Sequence, residues 1–166
     1  RNITMTTLKS LLVAVLIIFS YSVEAQSINS LLSKVIHAKS TSFINKYKLD
    51  GFHVLHAADV QMQNRTEFPI LMQLKEGEWY HFIVIGDPDA QRIEMKLGLK
   101  GLGDIITDRF SGPRTNEYWT QFSFICPVSG NYLMTIYQKG DKRNFVGHVD
   151  ILQRAGRELK QTTDAR

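Results

Sequence analysis

The sequence predicts an all-β protein: an antiparallel, jelly-roll-like β-sandwich of seven or eight strands, with one N-terminal amphipathic helix packed on a sheet. Three observations support this fold class. Short apolar segments with a period of two residues recur between Phe52 and Leu152, turn-forming residues separate them, and a helical period is confined to the segment before Gly51. We therefore divide the chain into a signal peptide (1–25), a helix (26–50), a sandwich domain (51–154) and a polar C-terminal tail (155–166).

The first segment has the pattern of a secretory signal peptide. A lysine precedes a short apolar run, and Val23 and Ala25 are the small residues that signal peptidase requires. Cleavage is expected after Ala25, and Met5 is expected to be the natural start, with residues 1–4 upstream of it. A retained membrane anchor is the alternative, but polar residues follow the apolar run at once. The chain is therefore predicted to be secreted or periplasmic, without a transmembrane segment after cleavage.

Composition limits the classes of function. Cleavage would remove two basic residues and one acidic residue, which lowers the formal net charge from +4 to +3. That charge is too small to predict nucleic-acid binding. Cys126 is the single cysteine, so no intrachain disulfide can form and the fold must depend on hydrophobic burial. Cys126 ends an alternating strand and is predicted to be a buried, unreactive thiol.

The segment Ser27–Leu49 is predicted to be a helix with Ser27 as its N-cap and Gly51 at its C-terminal stop, weakened near Ser40–Ser42. Apolar residues recur along it at three- and four-residue steps: Ile28, Leu31, Leu32, Val35, Ile36, Phe43 and Tyr47. Four lysines and no acidic residue share the helix. A membrane-surface helix is one interpretation; the favoured one packs the apolar stripe on the domain and leaves the lysines in water.

The remaining segments are predicted strands that alternate with turns. The first predicted strand runs toward Val60, and the pattern does not fix the residue at which it starts. The others are predicted at Phe68–Leu74, Trp79–Ile85, Arg92–Leu99, Ile105–Phe110, Tyr118–Cys126, Asn131–Tyr137 and Phe145–Leu152.

Two of these strands differ in their faces. Trp79–Ile85 is apolar on both faces and only His81 interrupts it, whereas in Arg92–Leu99 the charged residues from Arg92 to Lys96 alternate with apolar ones and are predicted to face water. A strand that is apolar on both faces needs a second cover. The N-terminal helix is the candidate, so we expect it to lie across the outer face of one sheet.

Three stretches resemble the pre-peptidase C-terminal family of secreted bacterial β-sandwiches: "LKEGEWYHFIVIGD" (Leu74–Asp87), "AQRIEMKL" (Ala90–Leu97) and "FSFICPVSGNYLMTIY" (Phe122–Tyr137). The resemblance implies an accessory module, of the kind often appended to secreted enzymes and not itself catalytic. This chain differs in carrying an N-terminal helix and only part of the family's acidic strand start, Asp87 and Asp89.

The turn "GDPDA" raises the question of a metal. Asp87 and Asp89 could supply two carboxylates to Ca²⁺, which takes six to eight oxygen ligands. The favoured interpretation is a turn, because Pro88 fixes the backbone angle and an aspartate before proline accepts hydrogen bonds from the amides ahead. No other cofactor is predicted.

Trp119 is the candidate sugar-binding residue, because flat aromatic rings stack on sugar faces. Gln121 shares its strand face, and Arg114 and Asn116 lie in the preceding loop, residues 111–117. The sequence predicts a carbohydrate-binding surface here if Trp119 is exposed. The alternative, that the helix or a loop covers Trp119, is equally compatible with the pattern.

Histidines offer weaker candidates. His148 and Asp150 share the polar face of the last strand and could form a dyad in a small secreted hydrolase. Two solvated residues on an outer face are the favoured interpretation. His53 and His56 would point to opposite faces of a strand, and could share a metal only if the chain turned there.

These features predict a secreted, non-catalytic binding or accessory module. A glycan or an envelope protein is the expected partner. The carbohydrate-binding domain and the small hydrolase are the two alternatives.

Overall fold

The computed structural model describes residues 31–101, 103–111 and 117–155. The signal peptide, the Ser27 N-cap, Arg114 and Asn116 lie outside the described residues, as does the tail beyond residue 155. In the described part of the chain, no helix combines the length and the apolar character needed to cross a membrane.

The described chain folds as a jelly-roll sandwich of two four-stranded antiparallel sheets, which confirms the predicted fold class. Sheet A has the strand order β1-β8-β3-β6, and sheet B has the order β2-β7-β4-β5. The strands are β1 (His53–Gln63), β2 (Glu67–Leu74), β3 (Trp79–Ile85), β4 (Ala90–Leu99), β5 (Gly103–Ser111), β6 (Trp119–Ile125), β7 (Gly130–Gly140) and β8 (Asn144–Arg154).

The main core lies between the two sheets. It is formed by alternating inward residues, such as Tyr80 and Phe82 of β3 and Tyr132 and Met134 of β7, all at most 1% exposed. Cys126 is buried beside them, as predicted, and its thiol donates to the carbonyl of Val128.

The charged face of β4 departs from its prediction. Glu94 is buried rather than solvated, because β4 lies inside sheet B, between β7 and β5. Arg92 and Lys96 flank Glu94 and form ion pairs with it. Burial of the Glu94 carboxyl opposes its ionisation, but the hydrogen bond and charge of Arg92, with Lys96, outweigh burial and lower its pKa.

Helix α1, residues 31–49, covers the outer face of sheet A and confirms the predicted packing. Ile36 and Phe43 of α1 form a second apolar cluster with Ile83 and Ile85 of β3 and with Leu152 of β8. The double-faced pattern of β3 therefore arises from two separate covers, sheet B on one side and α1 on the other.

Two further predictions for α1 had different outcomes: its C-terminal stop at Gly51 and its weak point at Ser40–Ser42. Gly51 has a φ of 85° and ends α1, with the amide of Phe52 bonded to the carbonyl of Tyr47 and that of Gly51 bonded to Lys48. The expected weakening at Ser40–Ser42 was wrong. Ser40 is buried, and the Thr41 hydroxyl donates to the carbonyl of His37 one turn earlier, so both stay in a continuous helix.

Candidate functional site

Four titratable side chains meet between α1 and the outer face of sheet A, and we call them the histidine–carboxylate cluster: His37, Asp59, His148 and Asp150. Strand alternation places His148 and Asp150 on the outer face of β8. The β1–β8 register sets Asp59 opposite His148. His37 reaches the same point from α1, one residue after the buried Ile36.

Hydrogen bonds connect all four groups. His148 Nδ1 lies 2.6 Å from Asp59 Oδ1, and His148 Nε2 lies 3.2 Å from Asp150 Oδ1. His37 Nε2 lies 3.2 Å from Asp59 Oδ2. The two imidazole rings are in edge contact, with centroids 4.9 Å apart. His148 therefore sits between two carboxylates, and Asp59 joins the two histidines.

Burial divides the cluster into an inner and an outer half. The Asp150 side chain is fully buried and that of His148 nearly so, whereas those of His37 and Asp59 are 47% and 61% exposed. Hydrogen bonding to Asp150, with help from Asp59, raises the pKa of His148 against the opposing effect of burial. Burial would raise the pKa of Asp59, but the hydrogen bond from His148 and the charges of both histidines lower it.

This arrangement corrects the expectation that His148 and Asp150 are solvated. Alternation correctly assigned them to the outer face, but α1 covers that face. Both ring nitrogens of His148 are within hydrogen-bond distance of a carboxylate, one of Asp59 and one of Asp150.

A second polar group lies farther along the same interface. The His81 ring is stacked on Tyr47 at 3.8 Å between centroids. His81 Nδ1 is 2.8 Å from Ser123 Oγ, and His81 Nε2 is 3.1 Å from Gln121 Oε1, which also accepts from the Tyr47 hydroxyl. In this orientation of the Gln121 amide, Oε1 accepts hydrogen bonds from both His81 Nε2 and the Tyr47 hydroxyl.

Burial lowers the pKa of His81, Lys46 adds to the effect, and the hydrogen bond to Gln121 partly opposes it. Because the folded pKa lies below the ordinary value of 6.5, the unfolded chain takes up this proton first as the pH falls. The contribution of His81 to stability is therefore complete above about pH 6.5 and decreases below it.

We expect the free energy of unfolding of the natural chain to fall more steeply below about pH 6.5 than that of a His81→Gln variant. Urea unfolding of both proteins between about pH 5 and pH 8 measures the difference. His148 acts in the opposite direction but is present in both proteins, so subtraction removes it. The exposed His53→Gln serves as control, and parallel pH curves for the natural chain and His81→Gln would contradict this assignment.

The candidate sugar-binding residues also face α1. Trp119 packs edge-on against Phe43, with centroids 4.8 Å apart, and the Lys39 ammonium lies 5.2 Å from its ring centroid. Trp119 is only partly exposed, and its Nε1 is buried without a partner. With Gln121 bonded to Tyr47 and His81, the structure brings these two predicted residues beneath the helix rather than onto a free face.

The carboxylates of Asp87 and Asp89 both form ion pairs with Lys142. Asp87 is buried and its Oδ1 accepts from the amide of Asp89 at 3.0 Å, which is the hydrogen bond expected of a turn. Lys142 Nζ lies 3.3 Å from Asp87 Oδ1 and 2.5 Å from Asp89 Oδ2. A hydrogen bond to Asp89, with the charge of Asp87, raises the pKa of Lys142 although burial opposes this. Lys142 thus supplies a positive charge to both carboxylates.

We expect the melting temperature of the natural chain, once stripped of metal, to be the same with and without added Ca²⁺. Lys142→Met should lower the free energy of unfolding by about 1–2 kcal/mol, because the buried Asp87 loses a charged donor. Differential scanning calorimetry of both proteins, with and without Ca²⁺, measures both effects. A melting temperature that rises with Ca²⁺ in the natural chain would favour the calcium hypothesis over the turn.

A pocket of about 670 Å³ opens where α1 meets β1 and β8, beside the Asp87–Lys142 pair. Its apolar lining consists of Leu32, Ile36, Val60, Met62, Phe145 and Val146. Its polar lining includes Ser33, Asp59, Gln61, Gln63 and Asn144. The exposed edge of the histidine–carboxylate cluster, Asp59, thus also lines the pocket.

Sequence reasoning missed His37, Asp59 and this pocket. His37 is 22 residues from Asp59 and 111 from His148, and no spacing rule connects a helix residue to two strands. The pairing of β1 with β8 brings Asp59 to His148, and the packing of α1 on sheet A brings His37 to Asp59. The predicted pair His53 and His56 lies on the exposed start of β1 and outside the cluster.

No protein-family model matches the chain, and no curated protein matches it significantly. Similar solved structures include the periplasmic inhibitor of g-type lysozyme from Aeromonas hydrophila, at 16% identity and a TM-score of 0.40, with 58% of this chain and 86% of the inhibitor covered. A CBM4 structure is similar at 13% identity and a TM-score of 0.39, covering 63% of this chain and 79% of the other.

A third similar structure holds the CBM22-1 and GH10 modules of Clostridium thermocellum xylanase 10B with xylohexaose. It has 14% identity and a TM-score of 0.38, and the match covers 64% of this chain and 26% of the xylanase. Similarity at this level identifies neither a family nor a ligand.

Proposed function

We propose that the chain is a non-catalytic binding module, secreted or periplasmic, whose ligand occupies the pocket between α1, β1 and β8. The main support for this proposal is the pocket itself. Its volume of about 670 Å³ lies in the range of small-molecule sites, and it combines an apolar floor with a few polar groups, as such sites do.

The polar lining favours a ligand rich in hydroxyl groups, such as a glycan. Gln61, Gln63 and Asn144 each offer amide donors and an acceptor, and Ser33 adds a hydroxyl. Such groups match the paired donor and acceptor of a sugar hydroxyl. Asp87 and Lys142 neutralise one another, so the pocket presents little free charge apart from Asp59.

This proposal moves the carbohydrate site away from Trp119. Phe43 and Lys39 of α1 contact the Trp119 ring and reduce the ring surface on which a sugar could stack. The pocket, in contrast, is open. The accessory role implied by the resemblance to pre-peptidase C-terminal domains stays a prediction.

The geometry of the histidines supports a non-catalytic role. In the described residues, the carboxylates around His148 occupy both of its nitrogens, and the thiol of Cys126 is buried. The signal-peptide pattern of residues 1–25 supports export from the cytoplasm.

A glycan array followed by titration calorimetry tests the proposal. We expect a Gln61→Ala/Asn144→Ala double variant to lose binding by at least about tenfold, which corresponds to about 1.4 kcal/mol. Both side chains are exposed, so the fold should be kept. Gln73→Ala, an exposed amide on sheet B, is the matched control. Loss of binding in Trp119→Ala with full binding in the double variant would instead support the site at residues 111–121.

A further inference from the structure

We propose that His37, Asp59 and His148 form a binding site for one divalent transition-metal ion of the zinc class. One ligand atom from each of the three residues lies within 4.8 Å of those of the other two. This inference does not depend on the pocket ligand, because metal binding can be measured with the ion alone.

The ligand atoms are close enough to approach one tetrahedral ion, because they all lie within 4.8 Å of one another. Zinc bonds of about 2.0–2.1 Å place neighbouring ligand atoms roughly 3.3 Å apart. The observed separations are 3.2 Å between His37 Nε2 and Asp59 Oδ2, and 2.6 Å between His148 Nδ1 and Asp59 Oδ1. Replacement of the His148–Asp59 hydrogen bond by two metal bonds requires these atoms to separate by less than 1 Å. Small side-chain rotations of the exposed His37 and Asp59 provide that movement.

Asp150 supplies an independent observation that points to a metal. It is fully buried, its Oδ1 lies 3.2 Å from His148 Nε2, and its Oδ2 is buried without a partner. A carboxylate that accepts the N–H of a metal-binding histidine fixes the orientation of the ring and raises its basicity. With Nε2–H held by Asp150, the Nδ1 atom of His148 is directed at Asp59 and His37, where the ion would lie.

The set of ligands selects the class of ion. Two imidazoles and one carboxylate suit zinc, cobalt and nickel, whereas calcium and magnesium prefer sites made of oxygen. The ion would occupy the position of the His148–Asp59 hydrogen bond, so that Nδ1 of His148 binds the metal in place of the Asp59 carboxylate.

The three ligands come from three elements, α1, β1 and β8. A bound ion would therefore fasten the helix to sheet A in a chain that has no disulfide to do so. A fourth coordination position would remain for water, on the exposed side where Asp59 meets the pocket.

Titration calorimetry with zinc sulfate tests the site, using the chain prepared without a polyhistidine tag and stripped with a chelator. We expect one equivalent of zinc to bind and to raise the melting temperature. Substitution with cobalt should give the visible absorption of a tetrahedral site. His37→Gln and Asp59→Asn should each weaken zinc binding at least about tenfold, and Asp150→Asn should weaken it roughly 10- to 100-fold while leaving all three ligands in place.

A His53→Gln/His56→Gln double variant is the matched control, because both histidines are exposed on β1 and lie outside the cluster. It should bind zinc as the natural chain does. The proposal is overturned if the chain binds no zinc, if His37→Gln binds it unchanged, or if the control loses binding. Circular dichroism of each variant confirms that it is folded before its affinity is compared.

Discussion

Deletion of residues 27–50 is expected to remove the folded, soluble protein or to lower its melting temperature by at least about 10 °C. The physical reason is the second apolar cluster. Ile36 and Phe43 are nearly fully buried against Ile83, Ile85 and Leu152. Burial of two such side chains contributes about 3–6 kcal/mol, a large part of the 5–15 kcal/mol that stabilises a typical domain.

Thermal unfolding and dye binding to exposed apolar surface measure the effect of the deletion. The matched control is Lys34→Ala/Lys48→Ala, which removes two exposed charges from α1 and keeps its apolar stripe. That variant should melt within a few degrees of the natural chain. A truncated chain that stays monomeric, binds no dye and melts at the natural temperature would contradict the role of α1 as a structural cover.

Gln138→Leu is expected to destabilise the protein by about 2–4 kcal/mol although the two side chains have similar size. Gln138 of β7 is fully buried and reaches from sheet B toward sheet A. Its Oε1 accepts from the amide of Asp87 at 2.9 Å, and its Nε2 donates to the carbonyl of Val146 at 3.2 Å. Leucine would leave the buried amide of Asp87 and the partly buried carbonyl of Val146 without these partners.

Urea unfolding at constant pH measures this effect, and Gln73→Leu provides the same chemical change at an exposed position of sheet B. The surface variant should change stability by less than about 0.5 kcal/mol. Equal stabilities of the two variants would show that the Gln138 hydrogen bonds contribute nothing net. The Gln138 side chain also explains why position 86 is a glycine, because an added Cβ there would lie only 2.7 Å from Gln138 Oε1.

The sequence predicted the fold because its signals are local. Alternation predicted the strand β3 at its observed limits and assigned its two faces, and the second apolar face of β3 led to the helix as a cover. The buried Glu94 was missed because alternation shows which residues share a face. It does not show whether neighbouring strands and ion pairs enclose that face.

The site was predicted only in part, because it depends on contacts between distant segments. His148 and Asp150 were recognised as a pair from their spacing, but their burial follows from the position of α1. Asp59 joins them through the pairing of β1 with β8, and His37 through one turn of the helix. None of these contacts leaves a periodic signal in the sequence.

Mapping of amide chemical shifts during titration with a bound glycan tests the central claim most directly: that the ligand site lies where α1 meets β1 and β8. We predict that the largest changes occur at Ser33, Gln61 and Asn144. Changes centred on Trp119 and residues 111–117, or the failure of every glycan on the array to bind, would contradict this claim.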